Sequence, residues 1–302
     1  MGGTNNAAIL AEGLTKTYGG RGGVRDLDLS VPSGAIYGFL GPNGAGKSTT
    51  IRLLLGFMKA MEGQARVLGK DSWSEGPAIR ADVGYIPGDL RLYPWMNLDN
   101  ALKIVGNIRK RDLSKRGREL AEVFELAADV PCRKMSRGMR QKLGLIIALA
   151  HDPKVLILDE PTTALDPPMQ KALYGVLRER ARAGATVFFS SHTLGEVEEL
   201  CARVAILRDG VLIADESVEA LRARAHRVVH LMWRGEPPEA SALLDGLTIE
   251  SREGRRWTCL FDGPAKPLVD WAAGQPLEDL DISPPDLDRV FHAFYRDEEH
   301  AR

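Results

Sequence analysis

Gly41-Pro42-Asn43-Gly44-Ala45-Gly46-Lys47-Ser48 decides how the rest of the chain is read. The run fits G-x-x-x-x-G-K-[ST]: glycines let a loop wrap tightly, so that successive backbone N–H groups point inward at phosphate oxygens. Working outward, Ala35–Leu40 is a short apolar run that reads as a buried strand, and Ile51, Leu53, Leu54 and Leu55 after Lys47 read as a helix. Strand, glycine loop and helix form a phosphate-binding βα unit, with the helix N-terminus adding positive charge. In that unit Gly41 to Gly46 and Thr49 surround the phosphates and Lys47 reaches the β- and γ-phosphates. The Ser48 hydroxyl ligates Mg²⁺.

A second carboxylate-bearing element lies far along the chain. Val155-Leu156-Ile157-Leu158-Asp159-Glu160 is a bare apolar strand that delivers two acids at its C-terminal end, the edge where open α/β sheets bind ligands. Asp159 suits a Mg²⁺ ion held through its water shell, and Glu160 suits polarising an attacking water. Together the two motifs specify a nucleotide hydrolase and leave its kind open.

Composition narrows the classes. The 302 residues are 44% hydrophobic and 27% charged, and 40 basic against 41 acidic residues leave a net charge of -1. That balance disfavours a nucleic-acid surface. The longest apolar stretches, Leu143–Leu149 and Val155–Leu158, are too short to cross a bilayer, and the N-terminus lacks a signal-peptide pattern. Three widely spaced cysteines suggest neither disulfides nor zinc and suit a reducing cytosol.

Strands are expected at Ala7–Glu12, around Val24–Val31, at Val155–Leu158 and at Thr186–Ser190. Val204–Leu207 and Val211–Ala214 flank Asp209-Gly210, a hairpin turn signal. Between about Asp89 and Ala150 helix formers and charges dominate, with Arg109–Leu126 reading as helix. Beyond Asp215 the pattern changes to a short helix at Val218–Arg224, strands at Arg227–Trp233 and Arg256–Phe261, and a terminal helix. That last helix, Asp286–Tyr295, places Leu287, Val290, Phe291 and Phe294 on one face.

Met135-Ser136-Arg137-Gly138-Met139 precedes a helical run and taken alone reads as an N-cap. Beside the other motifs it resembles the Leu-Ser-Gly-Gly-Gln signature of the ATP-binding-cassette (ABC) family. Ser136 and Gly138 match; Arg137 and Met139 depart toward the branch paired with ABC-2-type permeases. The resemblance covers roughly residues 7–215. It implies that Ser136 and Gly138 meet the γ-phosphate bound to an opposite subunit, and that Asp166, in Pro161–Asp166, lines a dimer interface. It further implies that His192 contacts the γ-phosphate and attacking water, and that Tyr18 stacks on adenine. Where the family places glutamine after Gly-Tyr-x-Pro, this chain has Gly88, which cannot ligate a metal; Asp89 follows it.

The expected architecture is an α/β P-loop NTPase cassette over residues 1–215, a mixed sheet core with a helical subdomain at about 89–150. A small α+β appendage follows over residues 216–302. The expected function is the ATP- and Mg²⁺-binding ATPase subunit of an exporter: a homodimer on the cytoplasmic face of the membrane, coupled to a separate ABC-2-type permease, without nucleic acid. The alternative is a soluble ABC-type switch in translation or DNA maintenance. The single copy of each motif and the lack of a heptad run count against it. A regulator that binds nucleotide without hydrolysing it is disfavoured by the presence of both Glu160 and His192.

Overall fold

A continuous apolar strand must be covered on both faces, and three such runs lie side by side in this chain. They are β3 (Ile36–Leu40), β7 (Val155–Asp159) and β8 (Thr186–Ser191), and every residue of β7 and β8 is buried. The computed structural model describes residues 7–19, 21–223, 226–239 and 243–285. The chain divides between Ser217 and Val218 into two units.

In the first unit, β1 (Ala7–Tyr18) and β2 (Arg21–Pro32) pair antiparallel, and each is longer than the apolar pattern alone indicates. With β4 (Glu62–Val67) and β5 (Lys70–Asp71) they make a four-stranded sheet in the order β2-β1-β4-β5. The second sheet adds β6 (Val83–Ile86), β9 (Arg203–Arg208) and β10 (Val211–Ser217) in the order β10-β9-β3-β8-β7-β6. All neighbours in it are parallel except the β9–β10 hairpin, whose turn is made by Asp209 (φ 49°) and Gly210 (φ 81°). Helices α1 (Lys47–Leu54), α2 (Gly76–Asp82), α6 (Pro167–Arg182) and α7 (Leu194–Leu200) complete this core.

The charged stretch Arg109–Leu126 is not one helix. α3 (Leu98–Arg109) ends where Lys110 turns left-handed (φ 53°) and the Arg111 N–H closes onto Gly106 O at 2.9 Å. α4 (Ser114–Val123) starts afresh after the Asp112 carboxylate accepts from Ser114 N–H. The Arg109 guanidinium is drawn instead onto the carbonyls of Ala81, Arg80 and Val83. α5 (Arg137–Leu149) follows, its Leu143, Leu145 and Ile146 buried.

The second unit opens on α8 (Val218–Ala223) and builds an antiparallel sheet in the order β12-β13-β11-β14. Its strands are β11 (Arg227–Trp233), β12 (Leu247–Glu253), β13 (Arg256–Phe261) and β14 (Leu277–Pro285); α9 (Ala265–Ala273) lies between the last two in the chain. Its core joins Val229, Leu231, Trp233, Trp257, Phe261 and Leu268. β12 and β14 escaped the sequence reading because charged residues, and in β14 prolines, interrupt their apolar positions. The expected helix Asp286–Tyr295 lies outside the described residues.

One buried group gives the first unit a pH signature. His151, two residues after α5, is 4% exposed, and among the described residues its ring meets the backbone of Val83 and Ile147 without well-formed hydrogen bonds. Burial first, then the positive charge of Arg109, pushes its pKa down from 6.5 to about 4. Between those values the unfolded chain binds the proton and the folded chain does not, so stability falls as pH drops from 6.5 toward 4. His151→Leu should flatten this part of the stability–pH curve by on the order of 2 kcal/mol, read by urea unfolding at a series of pH values. Parallel curves for the two proteins would contradict the assignment.

Candidate functional site

The order β3-β8-β7 sets three strand ends side by side. β3 runs into Gly41, β7 delivers Asp159 and Glu160, and β8, between them, delivers Ser190, Ser191 and His192. Gly41 N–H donates to Ser191 O at 3.3 Å, which ties the start of the glycine loop to β8.

The loop's curvature depends on two glycines. Gly46, the residue before α1, has φ 107°, and a Cβ there would stand 2.2 Å from Gly23 O. Gly44 has φ 85° with open space around it. This is backbone that only glycine adopts without strain. Past Gly46, the first-turn amides of Lys47, Ser48 and Thr49 have no carbonyl behind them to bond, as at any helix N-terminus. The loop, these three residues, Gly23 and Glu160 line a pocket of about 160 Å³. Lys47 is buried, and its Nζ donates to Gly41 O (2.6 Å) and Pro42 O (3.2 Å) and lies 3.4 Å from Glu160 Oε1.

Asp159 is 3% exposed, with both carboxylate oxygens occupied. Ser48 Oγ donates to Oδ2 at 2.7 Å and Ser190 Oγ to Oδ1 at 2.6 Å. A hydroxyl and a carboxylate oxygen in contact are hard oxygen donors of the kind Mg²⁺ prefers. Glu160 follows in left-handed backbone (φ 50°), and its carboxylate lies between Lys47 and His192, whose Nδ1 is 3.3 Å from Oε2. The turn carrying His192 is ordered by Ser191, whose hydroxyl meets the Glu196 carboxylate and the Thr193 backbone.

Ser136, Gly138 and Asp166 do not line this pocket. Ser136 caps α5, its Oγ accepting from Met139 N–H at 3.1 Å, and Asp166 caps α6, accepting from Met169 N–H at 3.1 Å. The two segments touch: a Cβ on Gly138 would stand 2.7 Å from Ala164 O. Gln141 donates to Pro161 O at 2.9 Å and so fastens α5 to the end of β7. Tyr18, at the end of β1, is half-exposed and donates to Met58 Sδ at 3.2 Å.

Gly88 approaches the acid cluster closely, since a Cβ there would lie 3.5 Å from Asp159 Oδ2. Asp89 pairs with Arg91 at 2.7 Å, both side chains exposed, and the pair lines a cavity with Ser48, Asp159 and Glu160. Three partners escaped the sequence reading: Gly23 beneath the loop, Gln141, and Ser190 between the acids. A signal for Ser190 was present, since hydroxyls are out of place in the apolar run Thr186–Ser191 unless something there accepts from them.

Against known proteins, residues 24–163 match the ABC transporter family. The bacitracin transport ATP-binding protein BcrA of Bacillus licheniformis is 38% identical over 226 residues, 72% of this chain and 72% of that protein. The daunorubicin resistance ATP-binding protein DrrA3 of Streptomyces coeruleorubidus is 32% identical over 302 residues, covering 95% of each. A solved ATP-binding subunit of an ABC transporter superposes with TM-score 0.67 at 28% identity, over 71% of this chain and 92% of that one. The dimeric structure of the bacterial ABC transporter cassette MJ0796 does so with TM-score 0.60 at 25% identity, over 70% and 98%.

This chain belongs to the ATP-binding proteins of ABC transporters. It is an ATPase whose hydrolysis is coupled to transport, and the soluble-switch reading is not favoured.

Gly46→Ala should drive a Cβ into Gly23 O and lower nucleotide affinity by about tenfold or more, read by titration with a fluorescent ATP analogue. Gly44→Ala, which meets open space, should lose less.

Proposed function

We propose that two copies of this chain form the motor of an exporter at the cytoplasmic face of the membrane, driving a separate ABC-2-type permease. The observation that carries the proposal is the division of the chemistry into two patches. Lys47, Ser48, Asp159, Glu160 and His192 converge on one set of strand ends, while Ser136, Gly138 and Asp166 stand together outside that pocket. A site so divided is complete when a second copy supplies the missing patch. The dimeric cassette MJ0796 shows this family's domains pairing. Transport of bacitracin and resistance to daunorubicin, in the names of the two relatives, support export.

In this reading the loop amides and Lys47 bind the β- and γ-phosphates, Lys47 exchanging its bonds to Gly41 O and Pro42 O for phosphate oxygens. Ser48 and Asp159 would hold Mg²⁺, which when bound neutralises phosphate charge and fixes the phosphates' orientation. Glu160 orients and polarises the attacking water and receives its proton at the carboxylate. His192 steadies Glu160 and faces the γ-phosphate. Ser136 accepts from its own helix through one lone pair, and its hydroxyl hydrogen stays available to a phosphate of the opposite copy. Tyr18 stacks on adenine. Binding of ATP to both patches favours the closed dimer, and hydrolysis releases it. No described helix is long and apolar enough to cross a membrane; in this reading the permease supplies the cargo path.

Glu160→Gln keeps the size and loses the base. It should lower ATP turnover on the order of a hundredfold and leave an ATP-bound dimer that elutes as such in gel filtration. Unchanged turnover would remove Glu160 from this role. Purification of the tagged protein from detergent-solubilised host membranes should bring a polytopic membrane protein in comparable amount; recovery of soluble or ribosomal partners alone would refute the permease pairing.

A further inference from the structure

We propose that Ser190 is a positioning residue of the ATPase site, its single hydroxyl setting the plane of the Asp159 carboxylate and the backbone of Glu160 together. The proposal rests on the metal-holding and water-activating roles given above to those two residues.

Ser190 lies on the central strand β8 and is fully buried. Its Oγ is 2.6 Å from Asp159 Oδ1 and 3.2 Å from Glu160 N. The direction of both bonds follows from the groups involved. A backbone N–H only donates, so Oγ accepts from Glu160. An ionised carboxylate only accepts, so the hydroxyl hydrogen goes to Asp159. One atom thus ties Asp159, the last residue of β7, and Glu160 after it to the strand that leads to His192. The Glu160 N–H is shared between Ser190 Oγ and Ser190 O, each 3.2 Å away, where Glu160 adopts its left-handed φ of 50°.

The two bonds of the Asp159 carboxylate are not equivalent. Ser48, on Oδ2, belongs to the glycine loop's helix and faces the pocket; Ser190, on Oδ1, reaches it from inside the sheet. A hydroxyl gives a cation a lone pair and keeps its hydrogen, so Ser48 can face a metal and still donate to Oδ2. Ser190 holds the other oxygen, Oδ1, and the two donors together fix the plane of the carboxylate that would help hold a cation. Without Ser190, Oδ1 has no donor, and only the Ser48 bond orients the group. Hydrogen-bond partners of metal-holding groups commonly matter about tenfold or more to metal affinity. Gly88 leaves this function unsupported from the other side, since it sits near Oδ2 with no side chain to offer.

The test uses the full-length protein and the variants Ser190→Ala, Ser190→Cys and Ser190→Thr. Mn²⁺ binding in the presence of ATP is read by electron paramagnetic resonance, metal-free ATP binding by a fluorescent analogue in EDTA, and folding by thermal melting. Ser190→Ala and Ser190→Cys, which lack a strong donor, should bind Mn²⁺ about tenfold more weakly while metal-free ATP affinity stays within about twofold. Their turnover should fall with KM for ATP little changed, and Ser190→Thr should recover most of the Mn²⁺ affinity. Unchanged Mn²⁺ affinity in a folded Ser190→Ala would overturn the proposal, as would equal losses of Mn²⁺ and metal-free ATP binding. If the unmutated protein itself fails to take up Mn²⁺ with ATP, the role of Asp159 falls first and this proposal with it; a loss confined to the variants' turnover would overturn the proposal alone.

Discussion

β3, β8 and β7 are buried along their lengths, so their polar groups can meet solvent or substrate only where the strands end. Parallel pairing places those ends at the same edge, with β8 between the other two. The glycine loop leaves β3 at this edge, the acids leave β7, and the serines and histidine leave β8. The hydrophobic drive that buries Phe39, Leu158 and Phe189 is therefore also what assembles the charges. No contact among the polar residues would form if the register of these three strands slipped.

The charges then hold one another. Lys47 is almost fully buried and is tolerated there because two loop carbonyls and Glu160 surround its ammonium. Asp159, buried as deeply, is satisfied by Ser48 and Ser190. The partners of Lys47 are acceptors and those of Asp159 are donors, so each charge is met by a group of the complementary kind. Among the non-glycine residues in left-handed backbone, Glu160 lies at this site, while Leu68, Lys110, Glu125 and Asp152 lie elsewhere.

Ser136 and Asp166 illustrate how a residue can serve two purposes. Each caps a helix with a measurable hydrogen bond, which is the mundane reason for such residues before α5 and α6. Their closeness across Gly138 and Ala164 comes from the packing of α5 against the chain leaving β7, fastened by Gln141 on Pro161 O. A cap explains the residue type at each position, and the packing explains why the segments carrying them meet at Gly138 and Ala164.

Much of this was legible in the residues themselves. The loop Gly41–Ser48, the strand ending in Asp159-Glu160 and the Asp209-Gly210 hairpin follow from local rules: which residues tolerate positive φ, which runs must be buried, which side chains bind phosphate or metal. The pairing of β12 and β14 was not legible, because their charged residues and prolines obscure the period and the neighbouring strands supply the order. Nor was the break after Arg109, where Lys110 turns left-handed while the Arg109 guanidinium bonds the carbonyls of Arg80, Ala81 and Val83 from far along the chain. The sequence by itself determined the phosphate-binding and acid-bearing elements, since each is written in a few consecutive residues whose chemistry is intrinsic. Only the tertiary structure decided that Ser190 meets Asp159 and that Gly23 closes beneath Gly46. Such contacts depend on which strands become neighbours, and burial of the whole core sets that arrangement.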